Sequence, residues 1–201
     1  MQRAIACFEP KVCQGIKGEI QIEQYQDQVR VNFNLSGLKP YHIYAIHIHE
    51  FGDISNGCHS LGKHFDPFNT NIHSHTQQGH AGDLFNNFKA SSNGEFIHVF
   101  NTSKISLDPR QANCIIGRSF VIHKFMDDLG LLGKIDPDTK RISYYREMSV
   151  KELLELCKKF GYFDIQQTRE AMIQKLESES LSSGNAATRI AYALIGIQSF
   201  V

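Results

Sequence analysis

Residues 43–49 read Ile-Tyr-Ala-Ile-His-Ile-His, and this alternation constrains the fold more than any other stretch of the chain. Successive side chains of an extended strand point to opposite faces. The spacing therefore predicts that Tyr44, Ile46 and Ile48 turn toward an apolar core while His47 and His49 share the other face. Neutral imidazole is the commonest side-chain metal ligand, and two imidazoles on a rigid strand lose little entropy when they bind one ion. A single His-x-His pair is a weak motif. The chain continues, however, with His64, His73, His75, His80, Asp83 and His123, and it holds 10 histidines in 201 residues. A carboxylate among imidazoles is the donor mixture that zinc favours, so the set reads as a two-metal site.

Two other metal chemistries fall away on spacing. A helical His-Glu-x-x-His motif needs a second histidine at position 53, where the chain has Asp53, and the surrounding residues alternate as a strand. A His-x-His-x-Asp hydrolase site needs a carboxylate where Phe51 stands.

Further alternating segments at 19–24, 29–35, 41–49, 95–100 and 119–123 predict an all-β fold. Turn residues separate them: Ser36-Gly37-Leu38-Lys39-Pro40 is one break, and Asn93-Gly94 is a hairpin signal. With 41% apolar and 21% charged residues the chain is ordinary for a folded protein. It shows no apolar run of signal-peptide or membrane-spanning length, which leads to the expectation of an intracellular, cytoplasmic protein that is not secreted and meets no membrane. Formal net charge is zero, so no global field recruits nucleic acid, and attraction for an anion must come from local charge.

The texture changes between Gly130 and Ser183. Ser149-x-x-Glu152 is a capping box ahead of Val150, Leu153, Leu154, Cys157 and Phe160, and Gly161 is placed to end that helix. Asp164-x-x-Gln167 predicts a second helix with an apolar face of Ile165, Ala171, Met172 and Leu176, ending near Glu177. Residues 131–182 thus form an expected α-helical hairpin inserted in a single β domain spanning 1–201.

The motifs His47-Ile48-His49-Glu50-Phe51-Gly52-Asp53, Gly57-Cys58, Gly62-Lys63-His64-Phe65-Asp66-Pro67 and Gly79-His80-Ala81-Gly82-Asp83-Leu84 together resemble the copper/zinc superoxide dismutase family. Cys114-Ile115-Ile116-Gly117-Arg118, Val121-Ile122-His123, Asp127-Asp128-Leu129-Gly130 and Gly184-Asn185-Ala186-Ala187-Thr188-Arg189 follow in the family's order. The likeness covers about residues 1–130 and 183–198, and so many motifs in order are far more specific than any one.

The resemblance implies a Greek-key antiparallel β-barrel or sandwich. It implies copper held by His47, His49, His64 and His123, and zinc held by His64, His80, Asp83 and a further histidine. The loop from His64 to His80 is one residue shorter than usual; His73 best keeps the interval to His80, with His75 as the alternative. Asp127 matches a carboxylate that orients one histidine of each metal, Arg189 matches the guide for the superoxide anion, and His64 is both bridge and proton carrier. The implied reaction converts two superoxide anions to dioxygen and hydrogen peroxide as copper alternates between two oxidation states.

The chain also departs from the family. A lysine usual seven residues before the guiding arginine is Ser182, while Lys63 and Lys124 flank two of the implied copper ligands. The cysteine that normally pairs with Cys58 lies three residues after that arginine, where this chain has Tyr192. Cys58 is left reduced or paired with Cys157, and maturation through a copper chaperone that oxidises the usual bridge is placed in doubt.

The family likeness further implies a homodimer through Phe51, Gly52, Ile116, Gly117 and residues 195–197. The long insertion suits a virus-encoded member. Two rival readings remain: a copper-handling barrel with little turnover, and a DNA-binding module at 149–178 using Lys151, Lys158, Lys159 and Lys175. The second is opposed by nine basic and nine acidic residues in 131–182.

Overall fold

The computed structural model describes residues 2–133 and 143–199. The chain forms β1 (Gln2–Phe8), β2 (Lys17–Tyr25), β3 (Gln28–Ser36), β4 (Ile43–His49), β5 (Asn87–Lys89), β6 (Phe96–Thr102) and β7 (Ser119–His123). Helices α1 (Val150–Phe160) and α2 (Arg169–Ser183) follow, then β8 (Arg189–Leu194) and β9 (Gly196–Ile197). Two antiparallel sheets result, one ordered β6-β3-β2-β1-β9 and the other β5-β4-β7-β8. This is the expected all-β sandwich, carrying two helices.

Alternation decides which side chains meet between the sheets. Val29, Val31, Phe33 and Leu35 of β3 face inward with Ile20 and Ile22 of β2, against Tyr44, Ile46, Ile48, Phe120 and Ile122 of the second sheet. Phe33 anchors the centre, with the rings of Phe85, Phe96, Phe100 and Phe120 at 5.4, 5.7, 6.1 and 6.0 Å. Strand β4, like its neighbour β7, is buried on both faces, in its case from Tyr44 onward. Its apolar face joins the core, as the spacing predicts, and loops cover the face that carries His47 and His49.

Several local expectations need correction. Strands β1, β5, β8 and β9 lie outside the segments that the alternation marks. The segment expected from Tyr41 begins at Ile43, because Tyr41 takes a left-handed φ of 59°. Asn93-Gly94 does form a turn, but not a hairpin: the strands on either side, β5 and β6, belong to different sheets. Gly94 instead closes on the β3–β4 connection, accepting from the Leu38 amide, and a Cβ there would meet the Leu38 carbonyl oxygen at 2.2 Å.

The capping box forms as Ser149 and Glu152 predict, and Gly161 ends α1 at a φ of 80°. The second helix starts later than Asp164 and runs beyond Glu177: Thr168 caps it, accepting from the Ala171 amide. The helices share a small core of Tyr145, Leu153, Cys157, Met172, Ile173 and Leu176. Phe160 leans on Phe125 at 5.6 Å, joining this core to the barrel. Truncation of Met172 to Ala leaves a hole with no room to relax, and we expect a loss of about 2–5 kcal/mol. Urea denaturation followed by far-ultraviolet circular dichroism checks this; a loss below about 1 kcal/mol would mean that the helices are not packed as described.

Candidate metal centre

Strand pairing assembles the first cluster. His47 and His49 lie on β4, and His123 ends β7, whose pairing with β8 shifts register between Ile122 and His123. Such an irregularity re-aims a side chain. It also sets His123 opposite Arg189 at the start of β8. His64 arrives from the following loop through an isolated bridge to His49.

The hydrogen-bond network fixes which nitrogen of each ring is free. His49 Nδ1 donates to the Gly62 carbonyl at 3.1 Å and His123 Nδ1 to the Ala187 carbonyl at 2.9 Å. Their Nε2 atoms then face each other across 3.2 Å as two lone pairs, which cannot satisfy one another. His47 Nε2 donates to Asp127 at 2.7 Å, leaving Nδ1 buried with no hydrogen-bond partner. His64 Nδ1 faces Asp83 at 2.9 Å, leaving Nε2 buried and equally unpartnered. Unpaired buried polar atoms are costly, so four nitrogens turned on one point fit a cation that accepts their lone pairs. Burial and the neighbouring imidazoles push the pKa of His49 and His123 well below the usual range and that of His64 down to about 3, keeping these rings neutral.

The second cluster is His64, His73, His80 and Asp83. His73 Nδ1 and His80 Nδ1 lie 2.9 and 3.1 Å from one Asp83 oxygen, and His64 Nδ1 lies 2.9 Å from the other. All four residues are buried, whereas His75 is exposed and outside the cluster. Three imidazoles and one carboxylate around one point suit tetrahedral zinc.

Asp127 joins the two clusters. Its carboxylate accepts from His47 Nε2 at 2.7 Å, His73 Nε2 at 2.8 Å and Asn86 Nδ2 at 2.9 Å. Burial disfavours this charge, but the hydrogen bonds from His47 and His73 outweigh it and hold Asp127 well below the usual carboxylate range. Burial likewise opposes charge on His73, yet Asp127 and Asp83 overcome it and raise its pKa to about 10.

Arg189 is half-buried, and its guanidinium donates to the Cys58 carbonyl at 2.6 Å and the Gly62 carbonyl at 2.5 Å. Gly62 thereby ties Arg189 to His49, a ring of the first cluster. A cavity of about 430 Å³ opens over His64 and His80, walled by Glu50, Lys63 and Asp66 and by Leu181 and Ser182 from the end of α2. All five cysteines are free thiols, with Cys157 in the helical core and Cys58 Sγ 3.9 Å from the Arg189 carbonyl.

Sequence reasoning missed Lys104. Its buried ammonium donates to the carbonyls of Asp83 at 2.6 Å, Thr76 at 2.8 Å and Ser74 at 3.3 Å, clamping the loop that carries His73, His80 and Asp83. No motif announces it, since a lone lysine after a strand ordinarily points to solvent. Asn86 was missed likewise, because its role depends on a partner 41 residues away.

Residues 16–143 match the family described as copper/zinc superoxide dismutase (SODC). The chain belongs to the copper/zinc superoxide dismutase family. A copper/zinc superoxide dismutase of Paramecium bursaria Chlorella virus 1 is 38% identical over 136 residues, covering 66% of this chain and 68% of the viral one. That of Saccharomyces cerevisiae is 38% identical over 119 residues, covering 58% of this chain and 75% of the yeast protein. The crystal structure of the clock protein EA4 superposes with a TM-score of 0.68 at 30% identity, covering 98% of this chain and 95% of that one. Helices α1 and α2 lie beyond the family-matched residues.

Replacing Lys104 by Met keeps the stem but strands three carbonyls, and we expect the metal-free protein to lose about 1–3 kcal/mol in urea denaturation. An unchanged midpoint would show that the clamp contributes nothing net.

Proposed function

We propose that this dismutase works through copper held by His47, His49, His64 and His123 and zinc held by His64, His73, His80 and Asp83. The observation that carries this reading is the pair of converging ligand clusters described above, with His64 a member of both. Bound copper supplies the one-electron couple that oxidises one superoxide to dioxygen and reduces the next, with two protons, to hydrogen peroxide, while redox-inert zinc holds the loop.

The chain's own residues supply the rest. His64 Nε2 is the atom able to hold a proton whenever it is not a ligand, because Nδ1 stays engaged on the Asp83 side. Asp127 fixes the tautomers of His47 and His73. Arg189 uses two N–H groups on carbonyls and keeps others to receive a small anion beside His49 and His123. The present Arg189 and complete clusters favour turnover over a copper-handling barrel. The lysines offered for DNA binding are partly engaged within the fold: Lys175 pairs with Glu179 at 2.7 Å, and Lys159 lies over Phe125 and Phe160.

The proposed dimer face is supported by an apolar groove formed by Ile5, Val12, Gly52, Ile54, Gly117 and Leu194. Ile197, Phe51 and Ile54 are 77%, 51% and 48% exposed there, although Ile195, expected at this surface, turns into the core. An intracellular site of action and copper loading without oxidation of Cys58 complete the proposal; no helix among the described residues is long and apolar enough to cross a membrane.

Superoxide consumption by protein of measured copper and zinc content tests the function, and a zinc-only, inactive protein would overturn it. Arg189→Ala should lower turnover about tenfold or more and flatten its dependence on ionic strength, since it removes a guide charge. An unchanged salt dependence would deny that role. For the dimer, Ile54→Asp should halve the mass seen in sedimentation equilibrium, whereas equal masses for the two proteins would exclude this face.

A further inference from the structure

Asp128, the neighbour of the carboxylate that joins the two clusters, gathers hydrogen bonds from the helical unit. Asp128 accepts from Ser180 Oγ at 2.9 Å and from the Tyr145 hydroxyl at 3.1 Å. The Tyr145 hydroxyl in turn accepts from Asn185 Nδ2 at 2.8 Å, and the Tyr162 hydroxyl donates to Asn185 Oδ1 at 3.0 Å. Asn185 also reaches the Leu176 carbonyl of α2 at 3.0 Å, and Ser180 Oγ accepts from the Gly133 amide at 2.8 Å. Tyr145 is buried, so breaking its hydroxyl contacts is costly. The hydrogen bonds therefore link Tyr145, Tyr162, Asn185 and Asp128 into one network.

The same helix presses on the metal centre. Gly184 caps α2 at a φ of 63°, and its carbonyl accepts from the Asp128 amide at 2.7 Å. A Cβ on Gly184 would fall 1.7 Å from Asp127 Oδ1 and 2.7 Å from His73 Nε2. The end of α2 thus lies flat against the hydrogen bond between Asp127 and His73. That carboxylate has no room to retreat while the helices are docked, and His73 cannot swing its ring without displacing it.

We propose that α1, α2 and the turn before them are a positioning device for the metal centre, with Tyr145 and Tyr162 as positioning residues that slow escape of the metal held by His73. This rests on the ligand assignment made above. Neither tyrosine touches a ligand. They act through Asp128 and Asn185 on the backbone that sets Asp127, and Asp127 sets His73. Groups that orient ligands tune metal affinity, with typical effects of about 10–100-fold. A group one step further out should act at the lower end of that range.

The test uses the full chain loaded with copper and with cobalt(II) in place of zinc, so that the second site has its own visible spectrum. Stripping by EDTA is timed for the unaltered protein, Tyr145→Phe, Tyr162→Phe and Met172→Ala. The last removes apolar contact from the core that Tyr145 shares but no hydrogen-bonding group of the network. The proposal expects each tyrosine variant to release cobalt about tenfold faster, with shifted cobalt bands, and Met172→Ala to keep the unaltered spectrum and a slower release than either. Should Tyr145→Phe not fold, Tyr162→Phe carries the comparison. Release within twofold of the unaltered protein and an unmoved spectrum in a folded tyrosine variant would overturn the proposal. So would Met172→Ala releasing metal as fast as the tyrosine variants. An unaltered chain that takes up neither metal would instead overturn the ligand assignment itself.

Discussion

The carboxylate of Asp127 is the interaction on which the rest of this structure depends. It accepts from His47 on one side and His73 on the other, and so fixes the tautomer and angle of one ring in each cluster. A buried carboxylate is tolerable only when donors surround it. Here the donors are the metal-centre histidines themselves, with Asn86 and the Leu129 amide at 2.6 Å filling the remaining positions. The site is thereby ordered in a way that does not depend on the ions alone. Strand β4 supplies the complementary constraint, since its burial on both faces makes the polar face of His47 and His49 reachable only through the loops that cover it.

Those loops are held without a disulfide. The thiol of Cys58 has only a distant carbonyl for company, yet its backbone is pinned by the Arg189 guanidinium, which also binds Gly62. Lys104 performs the matching task for the loop carrying His73, His80 and Asp83. Burial pushes the Lys104 pKa down to about 8, and the negative charge of Asp83 opposes that desolvation. Two cations hydrogen-bonded to carbonyls thus do what a covalent bridge does elsewhere in the family. They fix geometry in the folded state and leave the unfolded chain unrestricted, which separates them thermodynamically from a cross-link.

Much of this was legible in the sequence, and the parts that were not share a cause. Strands with clean alternation, such as β2 and β3, and the capped helix α1 announce themselves because burial on one face writes a period into the chain. Strands β5 and β9 are three and two residues long, too short to carry a period. Asp164-x-x-Gln167 mimicked a capping box, but Thr168 captured the role because Ile165 is drawn into the helical core ahead of the helix. Asn93-Gly94 specified a turn correctly and the wrong partner strand, since a turn signal holds no information about which sheet follows. Spacing left His73 and His75 open; burial brings His73 among the clustered side chains and leaves His75 in solvent. Lys104, Asn86 and the Asp128–Tyr145–Asn185 network leave no trace in sequence because each joins residues far apart in the chain.

The charge arrangement at the cavity mouth bears on how an anion is captured. The net charge of the chain is zero, so attraction must arise near the site. Exposed Lys63 stands at the rim, but Glu50 and Asp66 line the same cavity, and α2 contributes Leu181 and Ser182 there rather than a cation. Such mixed rim charges offset one another, and salt screens what remains beyond a Debye length of about 8 Å at physiological salt. Arg189 differs: it is half-buried, it is held by two carbonyls that carry no net charge, and it lies beside His49 and His123, lowering the pKa of both. Its field is screened least where an anion would arrive last. The rim of this cavity thus offers no uniform attraction, and α2 contributes walls rather than charge to it.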